Sequence, residues 1–141
     1  MATDATGMSV EVRSEPGLRV VVDKQLFGEV LVNLLRNAVE ACHGKGHVEV
    51  TAHKDAGGAV LEVADDGPGV PLARREEIFK PFHSSKDYGT GIGLAFSRKV
   101  VESHGGTIRV TDRPGGGVCF RIELPVSSFA TNGHLRTEAD Q

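Results

Sequence analysis

Apolar positions change their spacing several times along the chain, and each change marks an element. Residues 9–13 (Ser-Val-Glu-Val-Arg) alternate, Glu15-Pro16-Gly17 supplies a turn and residues 18–22 form a short β-branched run, so the opening predicts two strands. The period then lengthens. Leu26, Phe27, Val30, Leu31, Leu34, Leu35, Ala38 and Cys42 make one helical stripe, with Asp23 as N-cap and a stop near Gly44. Residues 47–53 alternate again, Asp55-Ala56-Gly57-Gly58 turns, and 59–64 is an apolar strand buried on both faces, together the strongest hairpin signal. Pro71 suits the start of a short helix over 72–79 that ends ahead of Pro81, because helical geometry is disfavoured before proline. Residues 83–91 have no period and predict a loop. Leu94, Ala95, Val100 and Val101 predict a second long helix stopped by His104-Gly105-Gly106, and 107–111 with 118–124 predict a closing hairpin. Antiparallel strands separated by helices imply an α+β sandwich with the helices on one face.

Length and charge narrow this picture only slightly. The 141 residues fit a single domain over 1–126, and the polar, aperiodic stretch 127–141 predicts a flexible tail. Sixteen basic residues against 19 acidic give a net charge of −3, which provides no electrostatic footprint for nucleic acid or anionic membrane. No apolar stretch is long enough to span a bilayer and the first residues lack the parts of a signal peptide, so a cytoplasmic domain is expected. Cys42 and Cys119 lie far apart and predict buried free thiols. No second Cys/His cluster completes a zinc site around Cys42, His43 and His47.

Three elements carry candidate chemistry. Asn33 and Asn37 are one helical turn apart on the polar face of the first helix; a solvated face is the ordinary account, yet an amide oxygen also suits a hard cation such as Mg²⁺. Asp65-Asp66-Gly67-Pro68-Gly69 follows a buried strand, where a carboxylate can be held rigidly enough to accept from an exocyclic amine, although the same residues make an unremarkable turn. Gly89-Thr90-Gly91-Ile92-Gly93-Leu94 opens directly into the second helix, so backbone N–H groups and the positive helix end converge where a phosphate would fit. Its spacing matches neither the dinucleotide fingerprint nor a Walker loop. In this order the three read as parts of a magnesium nucleotide site.

The ordered set resembles the catalytic ATP-binding domain of the sensor histidine kinases, within the wider group that also holds the gyrase, Hsp90 and MutL ATPase domains. Leu31-Val-Asn-Leu-Leu-Arg-Asn-Ala-Val-Glu-Ala41 is similar to the N box, Asp65 to Gly69 to the G1 box, Ile78-Phe-Lys-Pro-Phe82 to the F box and Gly89 to Gly93 to the G2 box. Ser97-Arg-Lys-Val-Val-Glu-Ser-His-Gly-Gly106 is similar to the stretch after G2, and Gly117-Val-Cys-Phe-Arg-Ile-Glu-Leu-Pro125 to the last box, so the likeness covers about residues 9–125. It implies a Bergerat-type sandwich: a mixed, mainly antiparallel sheet with helices on one face. It also implies that Asn37 binds Mg²⁺, Asn33 faces the triphosphate, Asp65 receives the adenine amino group, and Gly67, Gly69, Gly89, Thr90, Gly91, Gly93 and Leu94 line the nucleotide. A short lid of nitrogen-regulatory type would run over residues 83–88, in which Lys86 is the candidate cation for the phosphates, with a solvated loop lysine as the equal alternative.

Two branches of the group are separated by one position. Where hydrolysing members and anti-sigma kinases carry a glutamate, this chain has Asn33, and an amide cannot take a proton from an attacking water. ATP should therefore be held for transfer rather than hydrolysed. The resemblance implies an acceptor histidine on a separate helical dimerisation domain, with a response regulator downstream. None of His43, His47, His53, His83, His104 and His134 lies in an acceptor pattern, so the chain is expected to be the catalytic part of a longer, dimeric parent and monomeric by itself, with a free-standing domain as the alternative. Val118 replaces a threonine that often supports the adenine site, and His83 stands where related lids often carry an aromatic residue. A regulatory nucleotide-binding module and a gyrase-like dimeric ATPase are the competing readings. Intact glycine boxes oppose the first, and Asn33 with the short lid opposes the second.

Overall fold

The computed structural model describes residues 2–3, 7–55, 57–80 and 93–125. Strands β1 (Ala2–Thr3), β2 (Met8–Ser14), β3 (Gly46–Asp55), β4 (Gly58–Asp65), β5 (Thr107–Asp112) and β6 (Val118–Pro125) form one sheet in the order β1-β2-β3-β4-β6-β5. Helix α1 (Lys24–Ala41) connects β2 to β3, and α2 (Gly93–Ser103) precedes β5. Every strand pair is antiparallel except β2 and β3, which run parallel and need α1 as their crossover. The mixed, mainly antiparallel sandwich expected from the sequence is therefore present.

Register explains how the core forms. Val63, Phe120 and Val110 are cross-strand neighbours, as are Leu61, Ile122 and Ile108, so alternation puts all six on one face of the sheet. That face receives Phe27, Val30, Leu34 and Ala38 of α1 and Leu94, Val100 and Val101 of α2. The opposite face is charged: on β6, Arg121 donates to Glu62 at 2.9 Å and to Glu123 at 2.7 Å. Both cysteines are free and buried; burial pushes the Cys42 thiol up to about 11 and the Cys119 thiol up to about 12.

Helix α1 begins as predicted. Asp23 accepts a 2.9 Å bond from the Leu26 N–H. Its own N–H is held by His104, which the sequence marked only as part of a helix stop: the bond to His104 Nε2 is 2.9 Å, and Nδ1 lies 2.8 Å from the Val100 carbonyl. A backbone N–H can only donate, so Nε2 accepts and Nδ1 carries the proton. Phe27 stacks edge-on against the same imidazole with centroids 4.8 Å apart. The start of α1 is thereby tied to the end of α2.

Two expected elements differ. Residues 18–22 form no strand, although β1 pairs only with Ser9 and Val10 of β2. Leu18, Val20 and Val22 instead line an apolar cavity of about 550 Å³ with Phe27, Leu31 and Leu61. The β-branched run serves packing here, a use that its composition shares with strand pairing. Over 72–79 the short helix is replaced by two 3₁₀ turns, Leu72–Arg74 and Glu77–Phe79. Only Ile78 and Phe79 of these residues are buried, and Arg75 draws the first turn aside by donating to the Val70 carbonyl and to Asp112. Lys80 leaves the second turn extended at ψ 143, as a residue before proline should.

Candidate functional site

The polar face of α1 lies between the turn that follows β4 and the first residue of α2. Asn37 is buried at 8% exposure, and Asn33, one turn earlier, is half-buried. The Asn33 amide nitrogen reaches the Gly93 carbonyl at 3.5 Å, the outer limit of a hydrogen bond. A Cβ added at Gly93 would stand 3.3 Å from Asn33 Cγ, closer than nearly all such contacts, so glycine allows α2 to start against this asparagine. Leu94 follows with its side chain at 2% exposure in the core. Only its backbone faces the helix start.

Two adjacent carboxylates have opposite fates. Asp65 ends β4 at 1% exposure, with Val48 and Val118 as its register partners on the neighbouring strands. Its Oδ1 accepts the Gly67 N–H at 2.9 Å. Burial pushes the Asp65 carboxyl above the ordinary aspartate range; the Gly67 N–H pulls it back, Asp66 raises it further and Arg113 lowers it. Asp66 turns outward, accepts the His47 N–H at 2.9 Å and lies 3.6 Å from the Cys42 thiol. The first carboxylate is held inside the site and the second fastens the turn to β3. Nothing in the Asp-Asp sequence distinguishes them; the strand's inward alternation does.

The turn is closed from the other side by Gly117. A Cβ there would fall 1.9 Å from the Asp65 carbonyl oxygen, and its φ of +110 excludes most other residues. Gly67 sits against the last turn of α1, where an added Cβ would meet the Ala41 carbonyl at 3.3 Å. The F-box residues Ile78 and Phe79 are buried, with Phe79 edge-on to Phe120 at 6.2 Å. Arg98 of α2 holds the second 3₁₀ turn: its guanidinium lies 5.3 Å above the Phe79 ring and donates to Glu76 at 3.1 Å.

The structure thus brings together Asn33, Asn37, Asp65, Gly67 and Gly93 along one side of α1, with Val118 beside Asp65. Gly69 follows in the turn with φ +84. His83, Lys86, Gly89, Thr90 and Gly91 lie outside the described residues. Sequence reasoning missed Asp66, Gly117 and Arg113. The glycine run before β6 was the available signal for Gly117, whereas the roles of Asp66 and Arg113 depend on contacts between distant segments.

Residues 22–128 match the family model described as histidine kinase-, DNA gyrase B-, and HSP90-like ATPase. The chain is 42% identical over 115 residues to the sensor protein KdpD of Escherichia coli K12, covering 79% of this chain and 13% of that protein. It is 34% identical over 130 residues to the sensor histidine kinase ZraS of the same organism, covering 90% and 28%. It therefore spans less than a third of these relatives. Among solved structures, the nucleotide-free catalytic domain of the histidine kinase ThkA superposes with a TM-score of 0.76 at 34% identity, covering 85% of this chain and 81% of that one. Full-length ShkA in complex with AMPPNP gives 0.76 at 31% identity, covering 85% and 26%. With its order of boxes, its mixed sheet and these likenesses, the chain belongs to the histidine kinase-, DNA gyrase B- and HSP90-like ATPase family, as a catalytic domain of the histidine kinase kind.

Proposed function

We propose that this domain binds Mg-ATP along the asparagine face of α1 and donates the γ-phosphoryl group to a histidine on a separate dimerisation domain, in two-component signalling. The observation that carries this reading is the pairing of a buried carboxyl, Asp65, with an amide at position 33 beside the start of α2. A carboxylate held by one backbone N–H keeps lone pairs for an exocyclic amine. An amide positions phosphate oxygens but cannot serve as a base toward water.

The residues fit the cofactor. Asn37 offers a hard oxygen from a buried position, as Mg²⁺ requires, and Asn33 would face the triphosphate. When bound, Mg²⁺ neutralises phosphate charge. Asp65 would receive the adenine amino group, with Val118 beside it contributing surface but no hydroxyl, so no side-chain water bridge is anchored at 118. Gly67, Gly69, Gly89, Thr90, Gly91, Gly93 and the Leu94 backbone would line the nucleotide, and Lys86 would supply the cation at the phosphates. The catalytic contribution of Asn33 and Lys86 is positioning and charge neutralisation, which is what phosphoryl transfer needs from a protein.

The domain is taken as residues 1–126; residues 127–141, expected from the sequence to form a tail, lie outside the described residues. None of its described helices is long and apolar enough to cross a membrane, and a cytoplasmic setting supplies ATP whether or not the parent protein is membrane-attached. A solved relative, ThkA in complex with the response regulator TrrA, superposes with a TM-score of 0.72 at 32% identity over 84% of this chain. A regulator is the corresponding downstream partner proposed here. The test is to mix the domain with ATP and histidine-bearing helical hairpins. Acid-labile, base-stable phosphate should appear on the hairpin, while the domain alone turns ATP over slowly. Brisk hydrolysis without transfer would move the protein to the ATPase branch.

A further inference from the structure

The open face of the sheet carries a second cluster of ligand-bearing side chains, apart from the asparagine face of α1. Ser9, Glu11 and Arg13 of β2 alternate onto the same face as their register partners His47, Glu49 and Thr51 of β3. Glu11 and Glu49 therefore stand beside each other across the parallel pair, and the Arg13 guanidinium on the same face offsets only one of their two charges. One ligand atom from each of Glu11, His47 and Glu49 falls within 4.8 Å of the others.

We propose that Glu11, His47 and Glu49 form a binding site for a divalent transition ion of the zinc class. His47 Nε2 lies 3.6 Å from Glu11 Oε1. Ligands about 2.0–2.2 Å from a tetrahedral zinc sit roughly 3.4 Å apart, so this pair already has nearly the required separation. The Glu49 ligand atom lies within 4.8 Å of the other two, and rotation about its two methylenes can bring it closer. The histidine is also oriented for the role: Nδ1 is 3.2 Å from Ser9 Oγ, which leaves Nε2 as the nitrogen facing the glutamates.

Arg13 supports the carboxylates rather than replacing the ion. Its guanidinium takes Oε2 of Glu49 at 2.7 Å and approaches Oε2 of Glu11 at 3.8 Å, while Glu11 Oε1 stays on the histidine side. With the imidazole uncharged, as a ligand must be, two carboxylates and one guanidinium leave a single negative charge for the cation to offset. The three ligand side chains are 28–33% exposed, enough for water to complete the coordination. One imidazole nitrogen with two carboxylates selects a borderline ion over Mg²⁺ or Ca²⁺, which take oxygen ligands. Cys42 and His43 do not join: the Cys42 thiol faces Asp66 instead.

Calorimetric titration of the nucleotide-free chain with ZnCl₂ tests the site. One equivalent should bind, with no competition from millimolar Mg²⁺, and His47→Gln and Glu11→Gln should each weaken binding at least tenfold while the far-ultraviolet dichroism stays unchanged. Glu11→Gln, on a partly exposed side chain, stands alone if the histidine variant misfolds. No zinc uptake, or uptake insensitive to Glu11→Gln and abolished by Cys42→Ser, overturns the assignment.

Discussion

The two ends of helix α1 are finished in opposite ways. Its start is sealed: Asp23 caps it, His104 takes the cap's own N–H, and Phe27 stacks on that imidazole beside an apolar cavity. Its later turns present Asn33 and Asn37 toward a buried carboxyl and two crowded glycines. One end satisfies its polar groups within the protein, while the other holds buried polar groups where a ligand can meet them. On the proposed function, stability and recognition are separated along a single helix, and substitutions at the two ends should separate them experimentally.

The largest effect is expected at the sealed end. Phe27→Ala should destabilise the fold by about 3–5 kcal/mol in urea unfolding, through lost burial, a larger cavity and a lost ring contact. ATP affinity of the molecules that remain folded should change little; a large affinity loss would show that the two ends are coupled. At the other end, Asn37→Ala should abolish magnesium-dependent ATP binding, a loss of more than about 100-fold or ~2.7 kcal/mol by calorimetry, with the unfolding midpoint nearly unmoved. Unchanged affinity would remove the site assignment.

Asp65→Asn sharpens the comparison through pH. The Asp65 carboxyl is raised in the folded state, so the native protein binds its proton more tightly than the unfolded chain. Its contribution to stability is therefore fullest below the ordinary aspartate range and is lost as pH rises through the folded value. The asparagine variant should show a flatter stability profile over that window and about 10–100-fold weaker ATP binding, the range expected for a lost charge-assisted hydrogen bond. A profile identical to the parent's would mean that the carboxyl is not buried ionised. The smallest effect belongs to Asp23→Ala, a lost cap of about 1 kcal/mol seen as a lower thermal midpoint with ATP affinity retained.

How much of this was visible in the sequence follows the same division. The stripe from Leu26 to Ala38, the cap at Asp23 and both hairpins were legible because spacing alone determines them. Asn33, Asn37 and Asp65 were legible because fixed intervals within one helix or one strand end decide which face they occupy. Residues 18–22 misled because a β-branched run packs as well as it pairs, and here it lines an apolar cavity. The 72–79 segment carried too few apolar positions to tell a helix from two tight turns. Asp66, Arg98 and His104 gain their roles from partners 19–81 residues away, and no local pattern records such contacts.

The single parallel pairing, β2 with β3, has a kinetic consequence. Antiparallel β3 and β4 can zip from a tight turn, but β2 cannot align with β3 until the whole of α1 has crossed over the sheet. Loop closure must then precede any reward from that contact. The hairpins should form first and β2 should dock late, so conservative substitutions at Val10 should mainly speed unfolding while those at Val63 should slow folding. Newly made chains would hold a sheet before they hold an ordered asparagine face, which makes nucleotide binding a report on the last stage of folding.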